Sequence, residues 1–357
     1  MPEILDIRLL ANLEPLASIG QARLREVLEY CHLETAEQGF DPFKGGYSPG
    51  QSVYLLRGEL GVEYADGSRV LLRADSEAAR HPIGKRQPDI VSSTARSRVH
   101  LLRVDDDLLD RMITWDQFVC YADAKTSVLK TSARASLKQF YNSGMFSAEN
   151  LSNSRLAHLP PANFSKLLTK IESVQVWDKE VIFREGDEGV YYYLIESGRA
   201  QLTRRQNGAG AILEELQAGV VFGEDALCPE MKRNATVTMK SNGVLLRLKK
   251  HDFFELMEEP SLNKIIYQDA KQKIAEGAVW LDVRHPPEFR FDRLPNAINV
   301  PLNIVRDAFK VLHKDTQYIA YCQSGRRSAA AAFLLAQAGY RVDVLANGLW
   351  SVPVLQQ

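Results

Sequence analysis

The chain has 357 residues, 45% of them hydrophobic and 25% charged, enough for two or three domains with well-packed cores. Its 44 basic and 45 acidic residues nearly cancel, which argues against a nucleic-acid-binding protein, because such proteins carry a basic face. The acidic N-terminus and the lack of a long apolar stretch argue against a signal peptide and a membrane span, so we expect a cytoplasmic protein.

The first 260 residues contain one pattern of strands and helices twice. Strands around a glycine turn occur in VYLLRGELGVEYADGSRVLLR (53–73) and again in YYYLIESGRAQLTRRQNGAGAILEEL (191–216). A strand followed by a helix with acids near its start occurs in VHLLRVDDDLLDRMI (99–113) and GVLLRLKKHDFFELM (243–257). Leading helices are predicted in QARLREVLEYCHL and ANFSKLLTKIESV. The offset of roughly 140 residues predicts two copies of a β-rich module bracketed by helices.

The second copy resembles the cyclic-nucleotide-binding domain family in FREGDEGVYYYLIESG (183–198) and VFGEDALCPEMKRNATV (221–237). The resemblance implies a β-roll in which helix-start amides face a cyclic phosphate, an acid binds the ribose 2′-hydroxyl and an arginine pairs with the phosphate. Carried onto this sequence, the acid is Glu224 and the arginine is Arg233. The implied nucleotide site comprises Gly223, Glu224, Ala226, Leu227, Arg233, Asn234 and Ala235.

The residue chemistry of this segment favours the same ligand. A guanidinium grips a phosphate with two hydrogen bonds, helix-start amides add partial positive charge, and glycine lets the backbone approach a ligand. The alternative is a hairpin with a solvated Glu–Arg pair. Asp225 and Asn234 depart from the family pattern, and the sequence leaves open whether cAMP or cGMP would be the effector.

The first copy lacks these ligand contacts. In RHPIGKRQPDIVSSTARSRV (80–99), Lys85 stands in the position of the acid, and no basic residue stands in the position of the arginine. Residues 1–130 are therefore interpreted as a degenerate module retained for packing or for a homodimer. The basic residues Arg80, Lys85 and Arg86 are interpreted as a solvated face.

After Pro260, strands alternate with helices. A helical pattern runs to Gly277, AVWLDV and QYIAY are short apolar strands, SAAAAFLLAQAG is an apolar helix, and YRVDVLANGL supplies another strand. Such alternation predicts a parallel α/β sheet with right-handed crossovers. No Gly/Ser linker separates this region from the preceding module, so a shift could be transmitted rigidly into it.

One of the four cysteines lies at a strand end, directly before a helix. The four cysteines follow no metal or disulfide spacing, and Cys322 begins the segment CQSGRRS (322–328). Loop amides, the helix dipole and the charges of Arg326 and Arg327 would each favour thiolate over thiol. A buried structural cysteine, the alternative, needs none of these features.

This region resembles the rhodanese (sulfurtransferase) family in WLDVRHPPEF (280–289), LPNAINVPL (294–302) and CQSGRRS (322–328). The resemblance implies that Cys322 takes a sulfur from a donor such as thiosulfate, holds it as a persulfide and passes it to a thiol or other nucleophilic acceptor. The persulfide loop would be Gln323, Ser324, Gly325, Arg326, Arg327 and Ser328. Asp282 and Arg284 would organise its surroundings, with a plain structural ion pair equally compatible.

Other activities fit less well. A cysteine phosphatase needs Cys-x5-Arg, and the sixth residue after Cys322 is Ser328. A catabolite-activator type of transcription factor needs a helix-turn-helix after the roll, where this chain has the rhodanese-like region. No metal is expected, because no ligand motif joins the seven histidines, His32, His81, His100, His158, His251, His285 and His313.

The sequence therefore predicts an α+β multidomain protein. We expect a degenerate cyclic-nucleotide-binding-like β-roll at 1–130, a cyclic-nucleotide-binding β-roll at 131–260 and an α/β parallel-sheet rhodanese domain at 261–357. The expected function is a bacterial sulfurtransferase of the thiosulfate type, with no required cofactor and with cyclic nucleotide as the effector. The alternative is a nucleotide sensor whose rhodanese module lacks significant turnover.

Overall fold

The computed structural model describes residues 7–44, 50–85, 89–124, 144, 146–153, 158–206, 209–224, 232–258 and 260–353. The chain divides into two compact units. Met1–Gln117 and Leu262–Gln357 form the first unit, and Phe118–Ser261 forms the second. The N-terminal and C-terminal regions thus pack together, although the second unit lies between them in sequence. Among the helices described, none is long and apolar enough to cross a bilayer.

The N-terminal part of the first unit is built on six strands. These are β1 (His32–Ala36), β2 (Gln51–Arg57), β3 (Glu59–Tyr64), β4 (Arg69–Arg73), β5 (Ile90–Ala95) and β6 (Val99–Asp105). They form two antiparallel sheets with the orders β1-β6-β2 and β4-β3-β5. Alternate residues of β3 are buried, as expected when one face of a strand covers a core. The helices that begin in this part are α1 (Ile7–Leu10), α2 (Gln21–Glu29) and α3 (Asp106–Ala124), and α3 continues past Gln117.

The second unit repeats this pattern with two more strands. Its strands are β7 (Glu172–Val176), β8 (Val181–Phe183), β9 (Tyr191–Ser197), β10 (Ala200–Gln206), β11 (Ala209–Leu216), β12 (Val221–Phe222), β13 (Thr236–Met239) and β14 (Gly243–Lys249). The antiparallel sheets have the orders β11-β10-β13-β8 and β12-β9-β14-β7. The helices are α4 (Ala148–Asn153), α5 (Phe164–Lys170) and α6 (Lys250–Met257). The order of equivalent strands matches that of the first unit, as the sequence repeat predicts.

The C-terminal part of the first unit is a parallel α/β fold, as predicted. Its elements are β15 (Lys264–Ile265), α7 (Tyr267–Ala275), β16 (Val279–Asp282), α8 (Pro286–Asp292), β17 (Ile298–Asn299), β18 (Gln317–Tyr321), α9 (Arg326–Gln337) and β19 (Arg341–Leu345). The sheet order is β15-β19-β18-β16-β17, and every pair is parallel. The central strand, β18, is buried on both faces.

The segment between the second unit and this sheet differs from the prediction. A single helical pattern is expected up to Gly277, but the structure places the short strand β15 before α7. Ile265 pairs with Leu345 at the sheet edge and is buried there, so tertiary pairing overrides the local helical pattern. Gly277 follows the end of α7 with a φ of +103°, a conformation that suits glycine after a helix.

Candidate active site

Cys322 lies at the carboxyl end of the central parallel strand. β18 ends at Tyr321 and α9 begins at Arg326, so the cysteine directly precedes a helix N-terminus. The Gly325 amide donates a hydrogen bond to Cys322 Sγ at 3.1 Å, and Ser328 Oγ lies 3.7 Å from the same sulfur. Cys322 is fully buried, with 0% of its surface exposed. An amide donor and the positive end of a helix both favour negative charge on a group held between them.

A 3-10 turn, Gly348–Ser351, holds the carbonyls of the Cys322 loop (residues 322–328). The Leu349 amide donates to the Cys322 carbonyl at 2.9 Å, and the Trp350 amide donates to the Gln323 carbonyl at 3.2 Å. Gly348 has a φ of +54°, and an added Cβ would lie 2.4 Å from the Cys322 carbonyl oxygen. Glycine at this position therefore allows the turn to approach the loop closely.

Two polar side chains of the Cys322 loop bind carboxylates from the N-terminal part of the first unit. Ser324 Oγ donates to Asp110 Oδ2, and Arg326 Nη1 donates to the same oxygen at 3.1 Å. Arg326 Nη2 donates to Asp107 Oδ1. The sequence predicts that Arg326 adds positive charge near the sulfur, but the structure shows that two carboxylates compensate this charge.

Arg327 is also paired, and its side chain is buried. Its Nη1 and Nη2 donate to the two carboxylate oxygens of Glu288 at 2.8 and 3.1 Å, and Nη2 lies 3.6 Å from Asp110 Oδ1. Burial is the largest single influence on the pKa of Glu288 and would raise it, but the charge and hydrogen bonds of Arg327, together with the nearby charge of Arg284, outweigh burial and lower this pKa to about 2. Arg327 therefore joins α9 to α8 through two charge-assisted hydrogen bonds.

The predicted supporting pair, Asp282 and Arg284, is a buried ion pair at the end of β16. The Arg284 guanidinium donates through Nε and Nη2 to Asp282, and through Nη1 to Asp292 at 2.7 Å. The Arg284 amide also donates to Asp282 Oδ1. The contacts of this pair fix the chain between β16 and α8. They support the Cys322 loop through neighbouring backbone, because the Val283 amide bonds the Tyr321 carbonyl.

In the second unit, the structure brings Gly223 and Arg233 together. The Arg233 guanidinium donates to the carbonyls of Gly223 at 2.8 Å and Tyr191 at 2.5 Å, and it lies 4.0 Å from the centre of the Phe183 ring. Arg233 is 3% exposed. Gly223 has a φ of +86°, which favours glycine, and an added Cβ would lie 2.6 Å from Arg233 Nη1 and displace the guanidinium.

Three other predicted nucleotide-site residues, Glu224, Asn234 and Ala235, follow Gly223 and Arg233 closely in the chain. Glu224 Oε1 accepts a hydrogen bond from the Tyr192 hydroxyl at 3.2 Å, and the Asn234 carbonyl accepts one from Arg204. Ala235 is buried beside the start of β13. Ala226 and Leu227 lie outside the described residues.

In the equivalent region of the first unit, the structure differs from the sequence interpretation of the basic residues. Lys85 is not on a solvated face: its side chain is 19% exposed, and its ammonium binds Asp106 Oδ2. Ser52 Oγ donates to the other oxygen of Asp106 at 2.6 Å. Lys85 therefore forms a part-buried ion pair with Asp106 inside the first unit. Arg80 is more exposed, and Arg86 lies outside the described residues.

One cluster of potential metal ligands occurs in the described part of the chain. It consists of His251, Asp252 and Glu255 at the start of α6. The Lys170 ammonium lies 2.6 Å from Asp252 Oδ1 and 2.7 Å from Glu255 Oε2. A lysine cation thus already binds the two carboxylates that a metal would need.

Sequence reasoning missed Asp107, Asp110 and Glu288 as neighbours of the Cys322 loop. Asp107 lies in a segment predicted only as an acid-led helix start. The spacing of Asp107 and Asp110 places both on one helix face, which was a usable signal, but nothing in the spacing names Arg326 as their partner. Glu288 lies three residues after His285, and its carboxylate accepts the His285 amide at 3.1 Å, which is a recognisable helix-start pattern.

Comparisons with protein families agree with two functional regions. A family model described as cyclic nucleotide-binding domain matches residues 174–260. A model described as rhodanese-like domain matches residues 267–351. The second match includes the whole Cys322 loop, and the first includes Gly223 and Arg233.

Individual relatives match parts of the chain. A sulfurtransferase of Allochromatium vinosum is 32% identical over 91 residues, which is 25% of this chain and 85% of that protein. A cAMP-dependent protein kinase regulatory subunit of Blastocladiella emersonii is 34% identical over 103 residues, which is 29% of this chain. The match spans only 26% of that subunit's length.

Solved structures give weaker matches. The regulatory domain of Toxoplasma gondii PKA with cAMP aligns over 76% of this chain and 95% of that chain, at 19% identity and a TM-score of 0.31. The catabolite activator protein of Thermus thermophilus aligns over 29% of this chain and 48% of that chain, at 29% identity and a TM-score of 0.27.

Proposed function

The chain belongs to the rhodanese-like sulfurtransferase family, and on that premise we propose that it transfers sulfur through a persulfide on Cys322. The observation that carries the proposal is the sulfur itself, placed at a strand end before α9 with the Gly325 amide 3.1 Å away. A persulfide anion formed there would gain the same amide and helix-dipole stabilisation. Gln323, Ser324, Gly325, Arg326, Arg327 and Ser328 form the loop around it.

The test is persulfide formation with millimolar thiosulfate. Intact-mass measurement should show an adduct of about 32 Da on Cys322, because the sulfur becomes covalently attached to the nucleophile. Cys322→Ser should lose both the adduct and sulfite release while keeping its thermal unfolding profile. Cys31→Ser is the matched control, because it removes a free thiol elsewhere in the chain. Turnover retained by Cys322→Ser would contradict the proposal.

The second unit is proposed to bind cAMP or cGMP as an effector in a β-roll, with Arg233 and Glu224 as the phosphate and ribose contacts. Support comes from the Gly223–Arg233 contact, because it places a guanidinium where the backbone can approach a ligand closely. A phosphate would replace the two carbonyls now bound by Arg233, exchanging neutral acceptors for a charged one. The N-terminal part of the first unit is proposed to be the degenerate roll, with domain boundaries near residues 130 and 260.

Thiol or other nucleophilic acceptors are proposed to discharge the persulfide. The protein is further proposed to act in the cytoplasm, and a homodimer is compatible with the N-terminal part of the first unit. These proposals add no cofactor and no metal to the reaction at Cys322.

A further inference from the structure

Two carboxylates from outside the parallel α/β fold bind the polar side chains of the Cys322 loop. Asp107 and Asp110 lie near the start of α3, one helical turn apart. Asp110 is 4% exposed and accepts from both Ser324 and Arg326, and Asp107 accepts from Arg326. A hydroxyl and a guanidinium are the groups of this loop best suited to bind the oxygens of an anionic substrate. Both are already bound to carboxylates.

In a cleft beside the loop, the positively charged side chains are likewise paired with carboxylates. The cleft has a volume of about 70 Å³ and is lined by Gln323 and Arg327 of the loop. Its apolar walls are Pro15, Pro82, Leu109, Ile113, Phe291 and Trp350.

The cations that line this cleft are neutralised within it. Among the described lining residues, Lys85 pairs with Asp106, Arg284 with Asp292, and Arg327 with Glu288. The cleft also contains the buried carboxylates of Glu14 and Asp110. Burial raises the pKa of Glu14, as expected for a carboxyl in weakly polar surroundings. The cleft thus offers apolar contact and carboxylate acceptors.

We propose that Asp107 and Asp110 determine which substrates the Cys322 site prefers: they disfavour anionic sulfur compounds and favour thiols and persulfides that are uncharged or cationic. The inference rests on the proposed sulfur transfer at Cys322 and names its substrate class. An oxyanion must displace a carboxylate from Ser324 or Arg326 and approach the negative charge of that carboxylate. A protonated amine gains attraction from the same carboxylates, and an apolar body fits the walls of the cleft.

The transfer steps are balanced for either class of substrate. In loading, the Cys322 thiolate attacks the outer sulfur of thiosulfate or of a donor persulfide, and a new S–S bond forms. The old S–S bond breaks, and sulfite or the donor's thiolate leaves with the electron pair. In discharge, an acceptor thiolate attacks the outer sulfur of the Cys322 persulfide, forms its own persulfide and releases the Cys322 thiolate. Asp107 and Asp110 exchange no proton or electron in these steps. They are positioning residues that act through Ser324 and Arg326.

The test compares charged partners in the wild type and in Asp107→Asn/Asp110→Asn. The kcat/KM of loading by thiosulfate should rise by about 10-fold in the double variant, because two negative charges are removed from the approach of a dianion. Discharge is measured with cysteamine, 2-mercaptoethanol and 3-mercaptopropionate. The ratio of the discharge rate with cysteamine to that with 3-mercaptopropionate should be about 10-fold lower in the double variant than in the wild type. Because the same two thiols are used with both proteins, their intrinsic reactivities cancel in this comparison.

Salt dependence separates charge from a merely structural role. Added salt should raise thiosulfate loading in the wild type by screening the carboxylates, and this rise should shrink in the double variant. The single variant Asp107→Asn is measured as well, in case the double variant does not fold. Asp107 is more exposed than Asp110, so its replacement disturbs the packing less. Glu77→Gln is the matched control, because it removes an exposed carboxylate of the same unit that pairs with Arg80.

The outcomes distinguish the inference from the proposed function. If Cys322 takes up sulfur but both folded variants keep the wild-type substrate ratios and salt response, the charge-preference inference is wrong and sulfur transfer stands. If no donor or acceptor, at any salt concentration, exchanges sulfur with Cys322, sulfur transfer itself is wrong and the inference falls with it.

Discussion

At Gly348, the side-chain hydrogen faces the backbone carbonyls of the Cys322 loop. A Cβ would lie 2.4 Å from the Cys322 carbonyl oxygen and 2.8 Å from that of Gln323. Neither atom can move independently, since both belong to the backbone that carries the nucleophile. The geometry of the sulfur site thus depends on a residue far along the chain that has no functional group.

We therefore predict that Gly348→Ala impairs both stability and sulfur transfer. The clash and the positive φ together should lower the free energy of unfolding by about 2 to 5 kcal/mol, measured by urea denaturation. Persulfide formation at Cys322 should fall by about 10-fold or more, because displacement of the carbonyls shifts the loop amides.

Gly277→Ala is the matched control for this prediction. Gly277 has a φ of +103°, but an added Cβ would meet no atom within 4 Å. This variant should lose about 1 to 3 kcal/mol from backbone strain and keep the rate of sulfur transfer. Equal effects of the two substitutions on transfer would show that the contact of Gly348 with the loop is unimportant.

At the scale of elements, the start of α8 connects the Cys322 loop to two titratable groups, the half-buried His285 and the buried Glu288. Burial lowers the pKa of His285 to about 4, and the pairing of Glu288 with Arg327 lowers the Glu288 pKa to about 2 against the effect of burial. Both folded-state pKa values lie below the ordinary values of 6.5 and 4.5. The unfolded chain therefore binds these protons first as the pH falls, so acid favours unfolding.

We predict that the stability contributed by His285 is present above pH 6.5 and is lost as the pH falls towards 4. The contribution of Glu288 is present above pH 4.5 and is lost towards pH 2. Each shift corresponds to about 3 kcal/mol at most. The measurement is the urea midpoint of the wild type and of His285→Gln between pH 7 and pH 4.5, and the variant should show the flatter pH dependence.

His251→Gln serves as the matched control, because it makes the same substitution at a highly exposed histidine outside this site. A His285→Gln protein with the full wild-type slope between pH 6.5 and pH 5 would contradict the assignment of this proton to His285.

At the scale of the whole molecule, the N-terminal and C-terminal regions of the chain make one compact unit and the intervening residues make another. The contact of Asp107 and Asp110 with the Cys322 loop makes the N-terminal module part of the surroundings of the sulfur. The segment after Pro260 enters the parallel sheet directly through β15 and α7, without a Gly/Ser linker. This short connection along the chain is the basis for predicting that nucleotide bound in the second unit affects Cys322.

We predict that cAMP or cGMP changes the turnover of Cys322. Typical allosteric coupling would change the apparent affinity for donor by about 5- to 150-fold, in either direction. The measurement is turnover at sub-saturating thiosulfate across a nucleotide titration, with nucleotide binding followed by calorimetry. Arg233→Ala should weaken binding by about 2 to 5 kcal/mol and shift the turnover response to correspondingly higher nucleotide concentration.

Arg204→Ala is the paired control, because it also removes an arginine from the second unit. Arg204 bonds the Asn234 carbonyl and takes no part in the Gly223–Arg233 contact. If the protein binds nucleotide but turnover does not change, the two sites are not energetically coupled. Absence of heat for both nucleotides, on ligand-free protein, would contradict the nucleotide site itself.

The sequence by itself determined the features that depend on local pattern. The strand and helix repeat, the parallel α/β region and the place of Cys322 between β18 and α9 all follow from periodicity and turn residues, which act over a few neighbours. The two matched families follow from short motifs around Gly223 and Cys322. These features are encoded within segments shorter than a single module, so one sequence suffices to find them.

The tertiary structure alone decided which charges meet. Arg326 and Arg327 look like free positive charge beside the sulfur in the sequence, yet they pair with Asp107, Asp110 and Glu288. Lys85 looks solvated and is bound to Asp106. An ion pair depends on distance in space, and a carboxylate more than 200 residues away carries no local signal of its partner. Packing of the N-terminal module against the Cys322 loop brings Asp107 and Asp110 to Arg326, and folding of the α/β region itself brings Glu288 to Arg327. The charge of the site was therefore determined only by the fold.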